Sequence, residues 1–169
     1  MIQSENPGKM YAAVCGLYCK ACTLFIATQE GPERLTQLAA QFGVTEDDII
    51  CKGCRSDLRT PYCQRCKMFA CAKEKGIDFC SECDEFPCAE LKTFQSEMPH
   101  RADLWEELEK IKEKGYNYWL KSIEQKYTCP DCGTINSAYD LKCRKCGHEP
   151  GNQFIEKHKK KIVAFVNKK

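Results

Sequence analysis

Fifteen cysteines in a chain of 169 residues, most of them in Cys-x-x-Cys pairs, constrain this protein more than any other feature. So many thiols must either oxidise to disulfides or share metal ions. The odd count and the pairwise spacing favour metal, because a two-residue gap lets both sulfurs of a pair reach one ion. The opening run MIQSENPGKMYAAVC has no apolar stretch like the one after the charged start of a secretory leader. That predicts a cytoplasmic chain, in which thiols stay reduced. No apolar run approaches the length of a membrane helix, so no membrane role is expected.

The strongest single pattern is Cys129-Pro-Asp-Cys132-Gly133, a ten-residue gap, then Cys143-Arg-Lys-Cys146-Gly147. Each Cys-x-x-Cys-Gly knuckle presents two thiolates, and the glycine takes a backbone angle that other residues resist. Two knuckles complete a tetrahedron, which predicts a zinc ribbon.

Ahead of it lies an internal repeat. Tyr62-Cys63-x-x-Cys66-x-x-Phe69-Ala70-Cys71-Ala72 matches Phe79-Cys80-x-x-Cys83-x-x-Phe86-Pro87-Cys88-Ala89 position for position. A partial copy, Tyr18-Cys19-x-x-Cys22-x-x-Phe25, precedes both, with Ala27 at the third cysteine position. The aromatic residues are expected to shield the sulfurs. Spacing suggests one site from Cys19, Cys22, Cys51 and Cys54, and another from Cys63, Cys66, Cys80 and Cys83. Cys15, Cys71 and Cys88 then remain, as buried thiols, as a third site with His100, or as members of a thiolate-bridged cluster. The partition stays open, but all eleven front cysteines are expected metal ligands. Cys15-x-x-x-Cys19-x-x-Cys22 also has the spacing of the radical SAM iron–sulfur motif. Ala21 stands where that motif has an aromatic residue, and the barrel those enzymes need exceeds this chain. A simpler iron–sulfur cluster in the front region is the alternative to several zinc ions.

Helical periodicity is clear elsewhere. Pro32 opens a helix with Leu35, Leu38, Ala39 and Phe42 on one face, and Gly43 stops it. Leu104, Trp105, Leu108 and Ile111 form a second stripe before Gly115, and Tyr116, Trp119, Leu120 and Ile123 continue it as the other half of a bent pair. Phe154, His158, Ile162 and Phe165 form a final stripe among Lys157, Lys159, Lys160 and Lys161. These signals predict a small, cysteine-rich, metal-stabilised α+β protein, with short hairpins at the knuckles, several helices and a C-terminal zinc ribbon. Three zones are expected: a multi-metal domain over 1–92, a helical connector over 93–126, and the ribbon with a basic helix over 127–169. Residues 127–169 carry nine Lys/Arg against four Asp/Glu, and residues 1–126 carry seventeen against twenty.

The runs CGLYCKACTLFIAT (15–28), CKGC (51–54) and YCQRCKMFACAKEKGIDFCSECDEFPCAEL (62–91) resemble the cysteine-rich domain of unknown function 3795 of bacteria and archaea. The resemblance covers about half the chain and takes in all eleven front cysteines. It implies metal binding there and supplies no catalytic residue. The chain shows no phosphate-cradling glycine loop, dinucleotide fingerprint, Ser-His-Asp set or His-Glu-x-x-His motif. The expected function is that of a zinc-binding protein, more a binding module than an enzyme. It would be a metal-stabilised module meeting protein or nucleic acid through the ribbon and basic helix. A thiolate-based or iron–sulfur redox protein or enzyme is the other class.

Overall fold

The structure, a computed structural model, describes residues 8–168, so residues 1–7 of the opening run lie outside it. Among the described residues there are eight α-helices: α1 (Thr23–Glu30), α2 (Pro32–Phe42), α3 (Pro61–Gln64), α4 (Lys67–Lys75), α5 (Ala89–Glu97), α6 (Leu104–Lys114), α7 (Tyr116–Tyr127) and α8 (Gln153–Val166). Short 3-10 turns join them. Extended pairing is limited to two isolated bridges, Ala12 with Tyr18 and Thr128 with Ile135.

The expected α+β class, with hairpins at the knuckles and a zinc ribbon, is therefore corrected. Among the described residues 58% are helical and there is no sheet. The physical reason is where the backbone donors go. At each knuckle the N–H groups close tight turns on carbonyls four or five residues away, and the connecting segment is held by asparagine and aspartate side chains. Local bonds of this kind compete with a strand ladder.

The helices begin and end where punctuation residues stand. Pro32 occupies the first turn of α2, and Gly43, at φ 67°, ends it by donating to Ala39 and Ala40 carbonyls. Leu35, Leu38 and Ala39 face Ala27 and Ile49 in a small satellite core, while Phe42 is 45% exposed and leaves the predicted stripe. Gly115, at φ 80°, bends the chain between α6 and α7. No described helix is long and apolar enough to cross a membrane.

The main core is drawn from all along the chain. The segment Ala12–Cys15 is buried and meets Leu91, Leu104, Leu108, Trp119, Ile123, Phe154, Ile155 and Ile162. Rings connect these pieces: Tyr18 lies edge-on to Trp119 and stacks on Tyr127, which stacks on Phe154. Beside the rings runs a buried charge network. Asp103 accepts from Lys126 (2.5 Å), Lys157 (3.0 Å) and His158 (2.8 Å), and Lys126 also bonds Glu107 (2.9 Å). His158, on the stripe of α8, thereby ties that helix to the start of α6.

The internal repeat has a structural counterpart. In each copy the second cysteine N–H donates to the first cysteine carbonyl: Cys22 to Cys19 at 2.9 Å, Cys66 to Cys63 at 3.3 Å, and Cys83 to Cys80 at 3.2 Å. Each second cysteine then has extended backbone angles. Helices α1 and α4 start directly after Cys22 and Cys66. After Cys83 no helix starts until Ala89, because Pro87 replaces the helix-compatible Ala70. The flanking aromatics behave unequally: Tyr18 and Phe79 are buried, whereas Tyr62 is 60% exposed.

Candidate metal centre

Cys129, Cys132, Cys143 and Cys146 are the residues that the structure gathers most tightly. Their sulfur atoms all lie within 4.8 Å of one another, and among the described residues they form the one such group of metal-ligating side chains. Cys129 and Cys146 sulfurs are 3.6 Å apart, and those of Cys132 and Cys143 are 3.5 Å apart. A disulfide needs about 2.05 Å. Sulfurs about 2.3 Å from one central ion stand about 3.8 Å apart along the edges of a tetrahedron. The quartet fits the second geometry.

The two knuckles are built alike. Cys129 N–H donates to the Thr134 carbonyl and Cys143 N–H to the His148 carbonyl, both at 2.8 Å. Gly133 N–H returns to the Cys129 carbonyl at 3.0 Å and Gly147 N–H to that of Cys143 at 2.9 Å. Gly133 (φ 75°) and Gly147 (φ 78°) take the left-handed angle that closes each turn. His148 Nδ1, 2.8 Å from Asp131 Oδ2, straps the second knuckle to the first.

The surroundings favour thiolate. Cys132 Sγ is hydrogen-bonded to the Thr134 hydroxyl at 3.3 Å, and this bond with the Thr134 N–H holds the thiol below its ordinary value. Burial pushes Cys143 up, but the Cys146 and Lys145 N–H groups and the Asn136 amide outweigh it, so its thiol is net acidified. Cys146 accepts from the His148 N–H, yet burial and its sulfur neighbours leave it raised. A cation among the four resolves that conflict by replacing the shared protons.

Sequence reasoning missed two residues that support the site. Asn136 is fully buried; its Nδ2 donates to the carbonyls of Thr134 (3.2 Å) and Gly151 (3.0 Å), and its Oδ1 accepts from Arg144 N–H (3.0 Å). Asn152 caps α8 through Ile155 N–H at 2.9 Å. An asparagine just before the apolar residues Phe154 and Ile155 is a readable helix-start signal. Nothing in the sequence marks Asn136.

The front cysteines gather more loosely. All fifteen cysteines are free of disulfides. Cys15 is buried, which pushes its thiol up to about 12, and it lies near Cys66 and Cys80. Cys80 is likewise raised to about 12 by burial, with Cys88, Cys71, Cys66 and Cys83 around it. Cys19, Cys22, Cys51, Cys54 and Cys63 neighbour one another. His100, a candidate ligand by sequence, is placed against the Tyr139 hydroxyl at 2.6 Å.

No curated protein and no solved structure matches the chain. Its front portion is where a likeness is found: residues 11–93, which hold all eleven front cysteines, match the family model described as a protein of unknown function, DUF3795.

Proposed function

We propose that this is a cytoplasmic zinc-binding protein in which metal–thiolate centres hold a helical interaction module together, and in which the ion at Cys129, Cys132, Cys143 and Cys146 is structural. The observation that carries this reading is the contact of those sulfurs at 3.5 and 3.6 Å. A four-iron cluster spreads its thiolates around a cube, farther apart than that. Four thiolates also fill a zinc tetrahedron, leaving no open position for a substrate. On α8, Lys157 is engaged by Asp103 and Glu106 and Lys159 by Glu149, so part of the basic run serves the fold. A protein partner therefore fits the module better than nucleic acid, whose phosphates need clustered free cations.

Elemental analysis of protein purified without added metal tests the proposal. Zinc is expected, with one equivalent lost in Cys132→Ser. A preparation without zinc, or a brown one containing iron, overturns it.

A further inference from the structure

The front cysteines do not group as their order along the chain suggests. Cys54 N–H donates to Cys19 Sγ at 3.4 Å, and the Cys54 thiol lies beside those of Cys19 and Cys63. Cys51 and Cys22 lie beside Cys63. Cys66 instead neighbours Cys80, and Cys15 stands between the two groups, near both Cys66 and Cys54. The turn that ends α3 and begins α4 thus sends the two sulfurs of one Cys-x-x-Cys pair to different groups.

The donors around the first group point at sulfur. Gly53 N–H donates to Cys51 Sγ at 3.4 Å, and the Thr60 main chain lies beside it. The Thr60 hydroxyl accepts from the Cys63 N–H at 3.2 Å and lies beside its thiol, while Cys22 sits at the start of α1. Neutral thiols are weak acceptors, whereas metal-bound thiolates are oriented by such outer bonds. The 51–54 loop closes on Cys19 because residue 53 is glycine: at φ 111°, a Cβ there would stand 3.0 Å from the Met10 carbonyl and 4.0 Å from Cys19 Sγ.

A second observation is independent of the sulfurs. Arg59 lies over the Phe69 ring beside Cys51 and Cys63, and its Nε and Nη1 are buried without a hydrogen-bond partner. Guanidinium nitrogens buried with no partner are costly. Four thiolates around a divalent ion carry a net charge of about −2 and would supply a counter-charge.

We infer that Cys19, Cys51, Cys54 and Cys63 form a second thiolate centre for a divalent thiophilic ion such as zinc. Cys22 stands at its rim, and the Cys63–Cys66 pair is divided between this centre and an adjoining one that holds Cys66. The inference rests on the thiolate–zinc chemistry of the proposed function but uses none of the C-terminal ligands. Each of the four thiols gives its proton to solvent and its lone pair to the ion. Side-chain rotation draws the sulfurs in, because they are chained pairwise rather than converged.

The test is the full wild-type chain loaded with cadmium-113, in which scalar couplings connect each cysteine Cβ proton to its own ion. Cys54 and Cys63 are expected to couple to one cadmium and Cys66 to another. Coupling of Cys63 and Cys66 to the same ion, or no coupling at Cys63, overturns the inference. Zinc counts give a second reading. Cys54→Ser combined with Cys63→Ser should lose the same single equivalent as either change alone, while Cys63→Ser with Cys80→Ser should lose two. The opposite pattern restores pairing in chain order. The cadmium signal of the C-terminal quartet reports separately: its absence sinks the proposed function without touching the front assignment.

Discussion

Asn152 Nδ2 donates to the Asn136 carbonyl at 3.4 Å and to that of Ser137 at 3.0 Å, while Asn152 Oδ1 caps helix α8. Asn136 in turn bonds Arg144 and Gly151 beside the second knuckle. These two buried amides couple the cysteine quartet to the last helix, so metal and helix should be lost together.

Asn152→Ala removes a helix cap, leaves the Asn136 carbonyl without its donor and leaves that of Ser137 with the Asp140 N–H alone. The expected cost is about 2–3 kcal/mol. Asn152→Asp keeps the cap acceptor and loses the donors, so it should recover part of that loss. Urea unfolding of the zinc-loaded protein measures both.

Gly151 is a steric requirement. A Cβ there would lie 2.3 Å from the Asp140 carbonyl oxygen and 3.1 Å from the Lys142 carbonyl carbon, both backbone atoms. Gly151→Ala should cost about 3 kcal/mol or more, because main chain cannot move aside as a side chain can. Gly43→Ala, at φ 67° with nothing within 4 Å, should cost only about 1 kcal/mol. Thermal melts of the two variants provide the comparison.

Burial, with Arg101 nearby, lowers His100 to about 4. The folded protein therefore holds His100 neutral at pH values where the unfolded chain, at an ordinary 6.5, already binds a proton. The stability this contributes is complete above pH 6.5 and is lost as the pH falls toward 4. An NMR titration of the His100 ring should give a midpoint well below 6.5.

Asp103 shows the complementary case. Burial raises its carboxyl, but Lys126, Lys157 and His158 outweigh that and hold it at about 2. Its contribution is present above the ordinary carboxylate value and is lost only as the pH falls through about 2. Lys126→Met strips one cation from both Asp103 and Glu107. It should destabilise by about 3 kcal/mol and raise the Asp103 midpoint, read from its carboxyl carbon shift.

Much of this protein was legible in its sequence because the signals are local. Pro32 and Gly43 bound α2, Gly115 bends the chain between α6 and α7, and the two Cys-x-x-Cys-Gly knuckles close on one another. These outcomes depend on a residue's own backbone preference or on partners a few positions away. The expected hairpins failed because a strand needs a partner ladder, and here side chains such as Asn136 and Asp140 took the donors that a ladder would use.

The spacing of the cysteines determined that thiols would come in pairs, and the glycines and prolines determined where helices start and stop. Which pairs stand together was decided only by tertiary packing. Cys63 and Cys66 are fixed in sequence, yet the turn between α3 and α4 sets one beside Cys54 and the other beside Cys80. Asn136 and Asn152 acquired their role for the same reason, since a buried amide takes whichever carbonyls the fold brings within reach.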